Sequence, residues 1–198
     1  MSQSFRTISK STEGIFKDRG SKFIACAFPI SSVDDVKPLL EKLQTEHPSS
    51  RHVCYAYQLG TDGNDYRAND DGEPNGSAGL PILNQIKSKG VTNVLVAVVR
   101  YFGGTKLGVS GLINAYKEAA KESLDAAKIV TRVPTSNILI QFPHSSIGEV
   151  ERVIRQNEYT ISKQDFGIDC KWVIRVKDAE FEQATELLNA LPNVNLMR

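Results

Sequence analysis

Cysteine is scarce in this sequence: Cys26, Cys54 and Cys170 are odd in number and far apart. That excludes a disulfide framework and points to free thiols in a reducing compartment. Net charge is nearly absent as well, at +1 over 198 residues, so the surface as a whole does not announce a polyanion partner. No apolar run approaches the roughly 20 residues of a membrane-spanning helix. Residues 1–11 are polar and lack the apolar stretch of a signal peptide. Internal repeats and low-complexity segments are missing too, which sets aside solenoids and arrays. These absences lead to the expectation of a cytoplasmic protein with no membrane contact.

What remains is ordinary globular material. Hydrophobic residues make up 40% of the chain, enough for a real core, and the length fits one large or two small domains. Strands are expected over residues 5–10 and 13–30, with a turn near Asp18, Arg19 and Gly20. Ser32 opens a helix that carries Val36, Leu39, Leu40 and Leu43 on one face. Residues 51–59 alternate as a strand, with Val53, Tyr55 and Tyr57 on one side and Cys54 and Ala56 on the other. The polar stretch 60–79, GTDGNDYRANDDGEPNGSAG, is longer than usual connections and is read as a loop. A helix over 80–89, a strand over 94–102 and a helix over 110–127 complete a first part.

In the second part, a strand over 138–142, a helix over 145–157, strands over 159–163 and 168–177, a helix over 179–191 and a strand over 194–197 follow. This βαββαβ order is the ferredoxin-like pattern. The boundary is placed within residues 131–136, giving an α+β protein with domains 1–133 and 134–198. Within 168–177, alternation assigns Cys170, Trp172, Ile174 and Val176 to the core and leaves Lys171, Val173, Arg175 and Lys177 on an open face. An RNA-recognition motif wants exposed aromatics on that face; Trp172 lies on the other one, so any RNA there meets phosphate contacts or shape readout.

The segment RYFGGTKLGVSGL, residues 100–112, stands between a strand and a helix. Glycines in that position let backbone N–H groups converge, and a helix N-terminus adds a positive field. Gly103 and Gly108 have the outer spacing of a phosphate-binding P-loop, but Val109 and Ser110 replace its Lys-Ser/Thr pair, so that motif fails. Either the loop grips an anion, or its glycines supply only positive φ and close packing. Charge distribution favours the first reading. Residues 84–121 hold Lys87, Lys89, Arg100, Lys106, Lys117 and Lys121 against Glu118 alone, whereas residues 61–75 hold four aspartates and Glu73 against Arg67 alone. The anion or nucleic-acid candidates are Arg100, Tyr101, Gly103, Gly104, Lys106, Gly108 and Ser110, beside an acidic functional loop of Asp70, Asp71 and Glu73.

Beside a protein-interaction module without nucleic acid, a catalytic alternative exists, an enzyme acting on a small phosphorylated ligand. His52, Asp70, Asp71, Glu73, Arg100 and Lys106 converge if the long loop folds over the sheet, and paired carboxylates then hold Mg²⁺ beside a bound phosphate. Against it, no kinase motif is complete, no metal-ligand spacing appears, and Asp-Asp-Gly-Glu-Pro is good turn chemistry. His52 shares a strand face with Cys54 and reads as a partly buried structural histidine. No catalytic residue, metal ligand or cofactor is assigned. Whether the acidic residues 70–73 and Lys106 line one enclosed pocket separates an enzyme from a binding module.

The stretches DDGEPNGSAGLPIL (70–83) and VVRYFGGTKLGVSGLINAY (98–116), in that order, resemble the signature of the IMPACT family, in its YigZ-like bacterial branch. GSKFIA (20–25) and RHVCYAY (51–57) are also similar to that family. The resemblance covers about the first 130 residues, and the tail is similar to the second domain of the bacterial members. It implies an N-terminal domain like domain 2 of ribosomal protein S5 and a C-terminal domain like domain V of elongation factor G. Eukaryotic relatives regulate translation by competing for the activator of a starvation-sensing kinase, through an additional N-terminal domain that no segment here resembles. The expectation carried over is a non-enzymatic, translation-associated regulator that contacts RNA or the ribosome, with a translation-regulatory protein as a further partner.

Overall fold

Strand β6 (Val94–Tyr101) is the axis of the first unit, because Val94 to Val99 bury every side chain on both faces. A strand that apolar is stable only with cover on both sides. The computed structural model describes residues 4–197. It divides them into two units, Phe5–Arg132 and the chain from Val133 onward together with Ser4. In the first unit, β2 (Thr12–Asp18), β3 (Ser21–Pro29), β4 (His52–Leu59) and β5 (Asp65–Asn69) join β6 in one sheet of order β2-β3-β6-β4-β5. Every pairing is antiparallel. On one face, α2 (Gly79–Lys89) and α3 (Gly108–Asp125) cover Phe23, Ala25, Cys54, Ala56, Val96 and Val98. On the other, α1 (Val36–Glu46) brings Leu43 against Ile24, Val53, Ala97 and Val99. A separate ladder pairs β1 (Phe5–Ile8) with β7 (Ile129–Arg132).

Two strands were not expected. β5 lies inside the stretch read as loop; its residues 65–68 are exposed at the sheet edge, so no core imposes apolar alternation on them. β7 has only four residues, none of them buried. α3 begins at Gly108, two residues before Ser110. Otherwise the periodic segments of the sequence fold where their apolar positions put them. The described residues form a mixed α and β structure, and none of their helices is long and apolar enough to cross a membrane.

The second unit has β8 (Thr135–Phe142), α4 (Ile147–Gln156), β9 (Thr160–Phe166), β10 (Cys170–Lys177), α5 (Phe181–Asn189) and β11 (Asn195–Met197). Its antiparallel sheet runs β11-β8-β10-β9. β8 starts earlier than its apolar residues suggested, because Thr135 and Ser136 pair with Lys177 and Val176. Trp172 is fully buried and meets Phe142 edge-on at 5.1 Å, with Ile140 and Ile174 beside it in the core. Lys171, Arg175 and Lys177 are exposed on the opposite face.

Trp172 is the one tryptophan in the chain, so its fluorescence follows this core. Ile174→Ala removes a fully buried side chain and is expected to destabilise the unit by about 2–5 kcal/mol, seen as a lower urea midpoint in tryptophan emission. An unchanged midpoint contradicts the assigned register.

Candidate functional site

The acidic loop is organised by its own first residue. Asp70 Oδ1 accepts from the N–H groups of Ala78 (3.0 Å) and Gly79 (2.8 Å), and Oδ2 accepts from Gly76 N–H (2.8 Å). One side chain thus closes residues 70–79 into a ring and caps the start of α2, satisfying N–H groups that a helix leaves open. Asp71 has φ +42°, the left-handed region. It is fixed there by its own N–H to Asn69 Oδ1 and by Oδ2 accepting from Val53 N–H, both at 2.7 Å. Its carbonyl meets His52 Nδ1 at 2.7 Å. A carbonyl only accepts, so Nδ1 carries a hydrogen and Nε2 is the open ring nitrogen.

The ring aims Glu73 inward. Its Oε1 takes Arg100 Nη1 at 2.5 Å and the Tyr116 hydroxyl at 2.8 Å, with side-chain exposures of 4% for Glu73 and 11% for Arg100. Cys54 donates to the Tyr116 oxygen at 3.3 Å and lies 3.0 Å from the Asp70 carbonyl. Burial pushes the Cys54 thiol up to about 12, with the nearby Glu73 charge adding to the rise and the Tyr116 bond opposing it. Burial likewise raises Tyr116, helped by Cys54 and Glu73. Both groups stay protonated and serve as fixed donors in a chain that ends on the carboxylate.

Above this chain opens a cavity of about 450 Å³. Its charged and polar wall is Arg51, His52, Glu73, Arg100 and Lys106; Phe102, Leu107, Val109, Leu112 and Pro74 supply the apolar part, and Gly108 opens α3 at the rim. Strand pairing sets His52 directly opposite Arg100, which explains how residues distant in sequence share a wall. The site therefore combines three cations, one paired carboxylate and a helix N-terminus around an apolar interior. Such a set suits an anionic group with an apolar or aromatic body.

Several anticipated residues stand elsewhere. Tyr101 points to the other sheet face, where its hydroxyl is 2.8 Å from His47 Nδ1. Gly103 packs against the β2–β3 turn so closely that a Cβ there would collide with the Gly20 carbonyl carbon and the Ser21 nitrogen. Gly104 and Gly108 take positive φ of 89° and 73°, and only Gly108 lines the cavity. Ser110 is exposed in the first turn of α3 and does not line it. Asp70 and Asp71 are also outside the wall, their carboxylates engaged by backbone N–H groups. Glu73 and Lys106 do share one cavity. Arg51, Phe102 and Tyr116 were not singled out as site residues. For Arg51 the usable signal was its place beside the strand position opposite Arg100.

Two measurements check this construction. Burial alone would raise the Asp70 pKa, but bonds from Gly76, Gly79 and Ala78 outweigh it and hold it below the usual 3.8. A depressed folded-state pKa stabilises above the unfolded value and is lost as pH falls. Asp70→Ala is therefore expected to cost about 1–2 kcal/mol at pH 7, with the gap to the parent narrowing as pH falls below about 4 in urea titrations. Gly103→Ala forces backbone apart and is expected to cost about 1–3 kcal/mol or more, read in a thermal melt.

Comparison with known proteins places these residues in a wider group. A family model described as the Impact N-terminal domain matches residues 19–124, a span containing every residue of the cavity. The chain is 28% identical over 193 residues to IMPACT family member YvyE of Bacillus subtilis, covering 98% of this chain and 89% of that protein. It is 32% identical over 148 residues to IMPACT family member YigZ of Escherichia coli, covering 74% and 72%. A crystal structure of a hypothetical protein superposes with a TM-score of 0.73 at 26% identity, over 98% of this chain and 96% of that one. With the family domain matching more than half of the sequence, this chain belongs to the IMPACT family.

Proposed function

We propose that this protein is a non-enzymatic, cytoplasmic regulator associated with translation, which contacts RNA or the ribosome through the basic wall around the start of α3. The observation that carries the binding half of this reading is the cavity itself: Arg51, Arg100 and Lys106 beside the Gly108 end of a helix. The link to translation comes with the family, as does a translation-regulatory protein as a further partner. The finer fold assignment belongs to the same proposal: a first unit like domain 2 of ribosomal protein S5, and a ferredoxin-like second unit similar to domain V of elongation factor G. The βαββαβ order and the four-stranded antiparallel sheet support the latter.

Turnover of a small phosphorylated ligand is the second reading. It is favoured by Glu73 and Lys106 lining one cavity. The engagement of Asp70 and Asp71 by backbone N–H groups weighs on the other side, since neither carboxylate faces the cavity beside Glu73.

Arg100 is held by Glu73, so Arg51 and Lys106 are the cations to remove. Filter binding of single-stranded RNA is expected to weaken steeply as salt rises from low to moderate concentration, because counterion release drives it. Lys106→Ala and Arg51→Ala are each expected to lower the salt slope by about 1 for each phosphate no longer neutralised. Absence of RNA and ribosome binding at low salt, with turnover in a parallel phosphate-release assay, favours the enzyme instead.

A further inference from the structure

We infer that the cavity at the start of α3 recognises a single nucleotide bearing a terminal phosphate, with its phosphate at Lys106 and Gly108 and the amino edge of its base at Glu73. This rests on the RNA-binding reading above and narrows it: the RNA is recognised by its phosphorylated end rather than along its backbone, and a free mononucleotide carries the same chemistry.

Size comes first. A cavity of about 450 Å³ lies within the roughly 300–1,000 Å³ of small-ligand pockets. An RNA strand therefore enters only by an end or by one splayed nucleotide. Charge comes second. Arg51, Arg100 and Lys106 against Glu73 leave two positive charges on the wall, and a phosphomonoester carries about −1.5 to −2 at neutral pH. An internal phosphodiester, with a single charge, uses only half of that. The N–H groups at the first turn of an 18-residue helix add to the field where Gly108 meets the cavity.

Glu73 decides the body of the ligand. Its side chain is 96% buried, and both bonds it accepts fall on Oε1. Oε2 has no partner among the described residues. Lining the cavity, this oxygen meets solvent; a ligand that fills the cavity desolvates it, and leaving it then without a donor is costly. Phe102 lines the same cavity, is 52% exposed, and has the Arg100 guanidinium 5.7 Å from its ring centroid. An aromatic surface beside an acceptor oxygen fits a stacked nucleobase with an exocyclic amine. Adenine, guanine and cytosine provide that amine. Uracil presents an N–H between two carbonyls, which face the carboxylate unfavourably. A phosphotyrosine ring fills the apolar wall but brings no donor to Oε2.

Calorimetric titration of the full chain with AMP, UMP, adenosine and inorganic phosphate tests the pocket. RNA 12-mers of one sequence, with a 5′-phosphate, a 3′-phosphate or two hydroxyl ends, separate the free nucleotide from the RNA terminus. AMP is expected to bind about tenfold or more tightly than UMP or adenosine, and a phosphorylated 12-mer similarly over the hydroxyl-ended one. Lys106→Ala is expected to remove the phosphate preference, and Glu73→Gln the AMP-over-UMP preference while inorganic phosphate still binds. If Glu73→Gln fails to fold, Phe102→Ala at its exposed position carries the test, with the loss falling on AMP and not on inorganic phosphate. Equal binding of all three 12-mers with no mononucleotide binding overturns this inference and leaves the RNA reading intact. AMP binding with no RNA binding overturns the RNA reading instead. A phosphotyrosine peptide that binds as tightly as AMP overturns the nucleobase assignment.

Discussion

The ion pair between Glu73 and Arg100 is the contact on which the site depends. It joins the acidic loop to the central strand β6 at 2.5 Å, in surroundings where both side chains are almost wholly buried. Removing one partner from such a pair strands a buried charge and costs about 3–5 kcal/mol, although the intact pair adds little net stability. Its contribution is therefore positional. Asp70 shapes the loop, Asp71 presents its carbonyl to His52, and Tyr116 and Cys54 support the Glu73 carboxylate from beneath. The loop lies where it does because all of these bonds agree on one geometry.

This pair also changes the meaning of the charge pattern. The basic stretch 84–121 and the acidic stretch 61–75 look like two separate faces in the sequence, yet the fold engages several of the basic side chains internally and joins the two stretches at one ion pair, Arg100 with Glu73. Arg100 is taken by Glu73, Lys87 lies 4.1 Å from the centre of the Tyr66 ring, and Lys89 pairs with Asp125 at 2.7 Å. What stays open around the cavity is a smaller set, chiefly Arg51 and Lys106. A linear count overstates the positive field because it cannot see which charges fold onto one another.

Legibility in the sequence followed burial. β4, β6, β10 and the larger helices carry apolar periods imposed by a core, and these were readable to within a few residues. β5 and β7 are short and mostly solvent-facing, so nothing in their side chains marked them. Within the site, the glycine run pointed correctly to a strand, loop and helix junction, and Lys106 and Gly108 do line a cavity there. Tyr101 and Gly103 were drawn in by proximity in sequence, but strand alternation sends Tyr101 to the opposite face and Gly103 serves a backbone contact with Gly20. The role of Glu73 was hidden, since its partners are 27 and 43 residues away and no local rule links them. The second unit shows the same division: the buried face of β10 was plain from alternation, while the polar start of β8 was not.

The thiol of Cys54 gives the loop a kinetic signature. All three cysteines are buried, and Cys54 lies beneath the acidic loop with its proton held by a pKa of about 12. An alkylating reagent needs the thiolate and a path to it, and the closed loop supplies neither. Modification of Cys54 thus proceeds through rare opening events, at a rate set by the fraction of molecules in which residues 70–77 have lifted from the sheet. A ligand that bridges Glu73 and Lys106 slows that reaction without touching the sulfur, which makes a buried cysteine a clock for occupancy of the neighbouring cavity.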